Sequence, residues 1–339
     1  MLGGGSAGGA SVALQLAAYG GRDDKLFHAA IAQSASFGPV LDVAESQYQY
    51  NYLVHRLGCT DAHDTLGCLR SKPAAEIQLK NINIPYPDSP NTGERKPKFM
   101  WNPVIDNDIL QDHTYRAFRE GKFVRVPAIF GDDTNGGSYF APNSTETVEE
   151  FNSFLAAQFP ALTRTQLEEL DILYTNTSVQ FPNRGRYWRQ TGTAYGEMRY
   201  MCPNLFLTSA MAHYEGAKGW NYRYNVGIPS LMKAGYGVPH MAEMNALWGP
   251  SIVRGNGWKS YLDLNKEIVP VIQAYWLSFI RTYNPNTLRH PGSPEWEEWD
   301  PKAQRRLVLQ TNQTRMEVVD QGQQERCAYL NSIAIDIQQ

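Results

Sequence analysis

The chain opens with Gly4-Gly5-Ser6-Ala7-Gly8, which fits G-x-S-x-G, and an alanine-rich run follows directly. This pairing constrains the fold more than any other feature. The pattern describes a sharp turn that lifts a serine hydroxyl out between a strand and a helix. Gly4, Ala7 and Gly8 supply the small residues such a turn needs, because larger side chains would meet strand or helix backbone. Ala7 to Tyr19 reads as the helix, with Val12, Leu14 and Leu16 as apolar positions and Gly20-Gly21 as the stop. Its N-terminal end would aim positive partial charge at Ser6, which favours developing negative charge there. Only Met1, Leu2 and Gly3 precede the motif, so there is almost no room for the strand. The competing reading is a glycine-rich turn with an incidental serine.

The rest of the chain alternates between short apolar runs and helical patterns. "HAAIAQSAS" has the length of a buried strand, and Phe123–Phe130 reads as another that ends at the loop "GDDTNGG". Thr147 with Glu150 and Thr163 with Gln166 form capping boxes ahead of two helices. Gly219–Val226 reads as a strand, followed by the Gly/Pro-rich loop "GYGVPHMAEM" that carries His240. Val271–Tyr283 places Trp276, Phe279 and Ile280 at helical spacing, and "RRLVLQ" reads as a last strand. The alternation predicts an α/β architecture, and no linker separates residues 1–339 into two domains.

Of the 339 residues 42% are hydrophobic, and the net charge is −3 without a basic run, which does not support nucleic-acid binding. No apolar stretch approaches the roughly 20 residues that span a bilayer, so no transmembrane segment is expected. No H-E-x-x-H, paired C-x-x-C or strand-linked glycine fingerprint occurs, so neither a metal nor a cofactor is implied.

Cys59 and Cys68 are close enough to close a small loop, and Cys202 with Cys327 could form a second bridge. Four cysteines allow three pairings. Asn143, Asn176 and Asn312 each head an N-x-[ST] sequon. An even cysteine count together with three sequons favours an oxidising, secreted setting over four free thiols. The N-terminus has neither the charged nor the apolar segment of a signal peptide.

A serine nucleophile needs a base, and in this fold order the base follows an acid. His28, His55, His63 and His213 read as solvated surface, and His113 and His290 lie in polar stretches without supporting context. His240 stands apart because its Gly/Pro loop follows a strand.

Several segments together resemble the type-B carboxylesterase family, which includes cholinesterases and secreted fungal lipases. "GGSAGGASVALQL" is similar to that family's elbow and helix, and "KLFHAAIAQSAS" to the strand after it. "GCTDAHDTLGCLRSK" resembles its short disulfide loop. "NPVIDNDIL", "VPAIFGDDTNGGSYF", "GWNYRYNV", "GVPHMAEMNALWG" and "YWLSFIRTYNPN" follow in the family's order. The resemblance implies an α/β-hydrolase fold entered at the nucleophile elbow. Ser6 is then the nucleophile, His240 the general base, and the Ala7 N–H an oxyanion donor. The strand entering the elbow, the earlier strands and a glycine-rich oxyanion loop would lie outside this chain.

Two departures stand against full catalysis. The family's acid is a glutamate whose place falls on Gly136, and Gly5 stands where a glutamate usually precedes the nucleophile. Asp132 or Asp133, in the same loop, could substitute as the acid. The competing reading makes both loop-capping side chains. The leading expectation is a serine carboxylester hydrolase that acts through an acyl-enzyme on a small-molecule or lipid ester. The aromatic segment "RYWRQTGTAYGEMRYM" would line its apolar pocket. The alternatives are an inactive family member acting as a binding or adhesion protein, and an incomplete gene product.

Overall fold

The computed structural model describes residues 1–87, 95–175, 181–255 and 257–339. A six-stranded sheet organises it: β1 (Leu2–Gly5), β2 (Ala30–Gln33), β5 (Ala128–Asp133), β6 (Gly219–Tyr224), β7 (Arg305–Leu309) and β8 (Arg315–Val318), side by side in that order. β1 to β7 run parallel, and β8 closes a hairpin antiparallel to β7. A separate pair joins β3 (Leu41–Asp42) to β4 (Val104–Ile105).

The sequence left almost no room for a strand ahead of Ser6, yet β1 is there. It uses the motif's own glycines, whose backbone pairs Leu2, Gly3, Gly4 and Gly5 with Ala30, Ile31, Ala32 and Gln33. Helix α1 (Ala7–Gly21) follows as expected, but it breaks at Ala18, where ψ is 142°, and Tyr19 and Gly20 take positive φ.

β5 starts five residues later than the apolar run suggested. Pro127 has no N–H for the ladder and restricts the residue before it. Val124 instead donates its N–H to Leu16 at the end of α1. All six residues of β5 are buried, as a central parallel strand requires. Asp132 and Asp133 therefore belong to a buried strand end and not to a loop.

Successive β5 side chains serve opposite faces. Phe130 packs with Val12, Leu16 and Phe123 under α1, while Ile129 packs with Trp220, Trp276 and Trp296 on the other side. A third apolar cluster gathers Phe151, Phe154 and Leu170 against the C-terminal helix Gln321–Ile333. That helix, like β8, lies beyond what the sequence marked as the last strand. The expected capping box at Thr163 forms in both directions. At Thr147 only half forms, because the Glu150 carboxylate accepts from the N–H of Glu146.

Two disulfides are present. Cys59–Cys68 closes a nine-residue separation, and Cys202–Cys327 ties the helix Cys202–Met211 to the C-terminal helix. No helix among the described residues is long and apolar enough to cross a membrane.

Candidate active site

Ser6 sits where β1 turns into α1, at φ 57° and ψ −121°. An L-residue is held there only when its surroundings over-determine it. Its N–H donates to the Gln33 carbonyl at 2.9 Å, and its own carbonyl accepts from Ala10 and Ser36. The small-residue requirement holds at Gly4 but falls on Gly9 in place of Gly8. A Cβ at Gly4 would lie 2.4 Å from the Gly8 carbonyl oxygen, and one at Gly9 would lie 2.9 Å from Ala35 Cα. A Cβ on Gly8 itself would meet nothing within 4 Å. One at Gly5 would meet Met241 Cε, the end of a movable side chain. Ala7 opens α1, and a first-turn N–H has no acceptor within its own helix.

His240 arrives from the other side of the sheet's C-terminal edge. It does not follow β6 directly, since the short helix Pro229–Lys233 intervenes. The turn ahead of it is pinned to the end of β5. Asn135 donates its N–H to Val238 at 2.8 Å, and its side-chain oxygen accepts the Val238 N–H at 3.0 Å. The result brings together two residues 234 positions apart: His240 Nε2 lies 2.8 Å from Ser6 Oγ. The other six histidines are not hydrogen-bonded to Ser6; His28, His55, His63 and His213 are exposed, as expected.

The imidazole is packed against Tyr200 at 4.4 Å and Phe140 at 5.4 Å, centroid to centroid. Its Nδ1 is buried and has no hydrogen-bond partner among the described residues. Burial, helped by the Arg199 charge, pushes its pKa down to about 4. Gly136 offers nothing to change this, although the nearest neighbours of a Cβ there, Asp133 O, Tyr200 and Met201, would lie at ordinary contact distances of 3.6–3.8 Å.

Neither candidate substitute acid bonds the ring. Asp132 accepts from Asn204 Nδ2 at 2.9 Å, and burial pushes its pKa up to about 8. Asp133 Oδ2 accepts from the Met241 N–H at 2.7 Å and from Ser34 Oγ at 3.1 Å. Its carboxyl is held well above the usual range by burial and by Glu243 beside it.

Glu243 was not singled out by the sequence, and the only signal is an acid inside the apolar run "MAEMNAL". It is fully buried, and its Oε1 accepts from Tyr222 OH at 3.1 Å. Asp133 Oδ1 and Glu243 Oε2 are both buried without a donor. One proton shared between the two carboxyl groups satisfies both oxygens. Burial raises both carboxyl groups, and each perturbs the other. The Asp133 carboxylate spends its bonds on Met241 and Ser34 and makes none to the imidazole.

Two cavities flank the Ser6–His240 pair. One of about 480 Å³ is walled by the Gly3–Gly5 backbone, Met244, Trp248 and Trp276. Another of about 200 Å³ is lined by His240 with Tyr139, Leu231 and Val253. The segment expected to line an apolar pocket mostly does otherwise. Tyr195 and Met198 are buried in the helical core, and Arg189 and Glu197 face a polar cavity.

The sequence pattern of the carboxylesterase family matches residues 1–330. The chain belongs to the carboxylesterase family. Among solved structures, Aspergillus niger EstA superimposes with a TM-score of 0.92 at 36% identity, over 99% of this chain and 64% of that one. This carboxylesterase chain therefore has the α/β-hydrolase fold. Among curated relatives, Secreted lipase 4 of Gibberella zeae is 29% identical over 97% of the chain and 58% of its own length. Lipase 2 of Geotrichum candidum is 26% identical over 94% of the chain and 56% of its own length. The chain thus spans somewhat more than half the length of these relatives.

Proposed function

We propose that this carboxylesterase chain is built to hydrolyse carboxylic esters through an acyl-enzyme. Ser6 Oγ attacks the ester carbonyl, and His240 Nε2 takes its proton and passes it to the departing alcohol. Water then enters by the same route and releases the acid. The Ala7 N–H, at the positive end of α1, steadies the oxyanion of each tetrahedral intermediate. The observation that carries this reading is the 2.8 Å contact between His240 Nε2 and Ser6 Oγ, made at a strained elbow. The low pKa of His240 keeps the imidazole neutral and ready to accept a proton at neutral pH.

The unpartnered Nδ1 limits the rate, because nothing offsets the charge the ring acquires. An orienting acid is worth about 10⁴ in turnover where its removal has been measured in serine proteases. The two cavities beside the pair suit a small or acyl-chain ester with apolar groups. Two disulfides, and exposed asparagines at the Asn143 and Asn312 sequons, support a secreted glycoprotein. The Asn176 sequon lies outside the described residues.

A fluorophosphonate probe tests the assignment. A single adduct on the 339-residue chain, absent from Ser6→Ala, is the expected result. No adduct on a chain that melts cooperatively would overturn it.

A further inference from the structure

A cavity rich in charged side chains lies behind the turn that carries Gly136. It measures about 270 Å³ and opens between the end of β5, the helix Trp188–Gly196, β8 and the C-terminal helix. Its wall is unusually cationic for so small a space. Arg189, Arg223, Arg306 and Arg326 all line it, against three carboxylates, Glu197, Glu317 and Asp320.

Two of the carboxylates are already engaged. Glu317 is shared between Arg223 at 2.6 Å and Arg306 at 2.9 Å. Glu197 receives both nitrogens of the Arg326 fork at 2.7 Å. Arg189 has no carboxylate partner among the described residues. It rests on the rings of Phe181 and Trp188 and donates to the Gly235 carbonyl. Burial alone depresses its basicity, with no opposing charge to offset it. On the same wall, Ser138 is 3% exposed and its hydroxyl has no hydrogen-bond partner among the described residues.

A guanidinium without a counter-charge is satisfied by an oxyanion, and rotation of the Ser138 side chain on the same wall would let its unpartnered hydroxyl donate to it. We propose that this cavity is a second ligand site that binds a short-chain carboxylate, held by Arg189 and Ser138. The space admits a handful of heavy atoms, about the size of butyrate. The anion site stands on the geometry alone. Its assignment to a carboxylate rests on the hydrolase reading, in which a carboxylate is the product. Asn135, which holds Val238 near His240, lines the same cavity, so the ligand would lie behind the active-site turn.

Calorimetric titration of the Ser6→Ala chain removes ester chemistry from the test and separates its outcome from that of the hydrolase reading. Butyrate, neutral butyramide and inorganic phosphate are the probes. Butyrate should bind saturably, butyramide should not, and Arg189→Gln should weaken butyrate about tenfold. Ser138→Ala should weaken it severalfold and decides the matter if Arg189→Gln fails to fold. Butyramide binding as well as butyrate, absence of butyrate binding, or unchanged binding in folded variants would overturn the site. Phosphate binding more tightly than butyrate would overturn the carboxylate assignment.

Discussion

The carboxyl of Asp133 accepts the backbone N–H of Met241 at 2.7 Å, one residue beyond His240, while the ring's own Nδ1 has no partner among the described residues. Asp133 fixes where the histidine sits without touching its imidazole. A backbone clamp and an orienting acid respond differently to substitution. Asp133→Asn keeps an acceptor for Met241 and a donor for Glu243, so ester turnover should stay within about tenfold of the parent. Asp133→Ala leaves Ser34, Met241 and Glu243 unsatisfied and should cost about 2–4 kcal/mol in denaturant unfolding. A thousandfold loss of turnover in a well-folded Asp133→Asn would instead make Asp133 the acid.

Gly136 is where a carboxylate can be returned. It is not in the left-handed region, and a Cβ there makes ordinary contacts. Gly136→Glu should raise turnover of a p-nitrophenyl ester by about 10² or more, within the 10⁴ that an orienting acid supplies. An unchanged rate in a folded variant would mean that the imidazole gains nothing from an acid in this frame.

The pH profile of kcat/KM follows from the depressed His240. The neutral ring is the base, so activity should hold down to acidic pH and fall as pH drops through about 4, not near 6.5. The same shift bears on stability. Between about 4 and 6.5 the unfolded chain takes up the proton that the folded chain refuses. The His240 contribution is therefore full above 6.5 and is lost as pH falls toward 4. An acid limb near 6.5 in the parent would contradict the burial described for this ring.

The glycines of the elbow should separate cleanly. Gly4→Ala drives a methyl group into the Gly8 carbonyl and should abolish probe labelling of Ser6. Gly8→Ala meets open space on a helix and should add about 0.5–1 kcal/mol of stability with labelling intact. Thermal melts and labelling of the two variants side by side test this.

The elbow and its helix could be read in the sequence because each rests on local pattern, and Ser6 and His240 were brought together by the family resemblance. Glycine spacing, apolar period and a histidine in a Gly/Pro loop all survive without three-dimensional context. The fate of Asp132 and Asp133 could not be read. Their placement turns on where β5 begins, which Pro127 delays, and "VPAIFGDD" looks the same whether it ends as strand or loop. Glu243 was invisible for a related reason. Its role depends on Asp133 and Tyr222, 110 and 21 residues away, meeting it in the interior. The half-formed cap at Thr147 shows how a nearby competitor, the Glu146 N–H, can take a side chain that the local pattern assigns elsewhere.

β1 is the outermost strand of the main sheet, and among the described residues it pairs with β2 alone. His240, by contrast, is moored to the central strand through Asp133 and Asn135. Outer strands open at lower free energy than central ones. The nucleophile thus hangs on one strand pairing, whereas its base is tied to the middle of the sheet by a carboxylate and an amide.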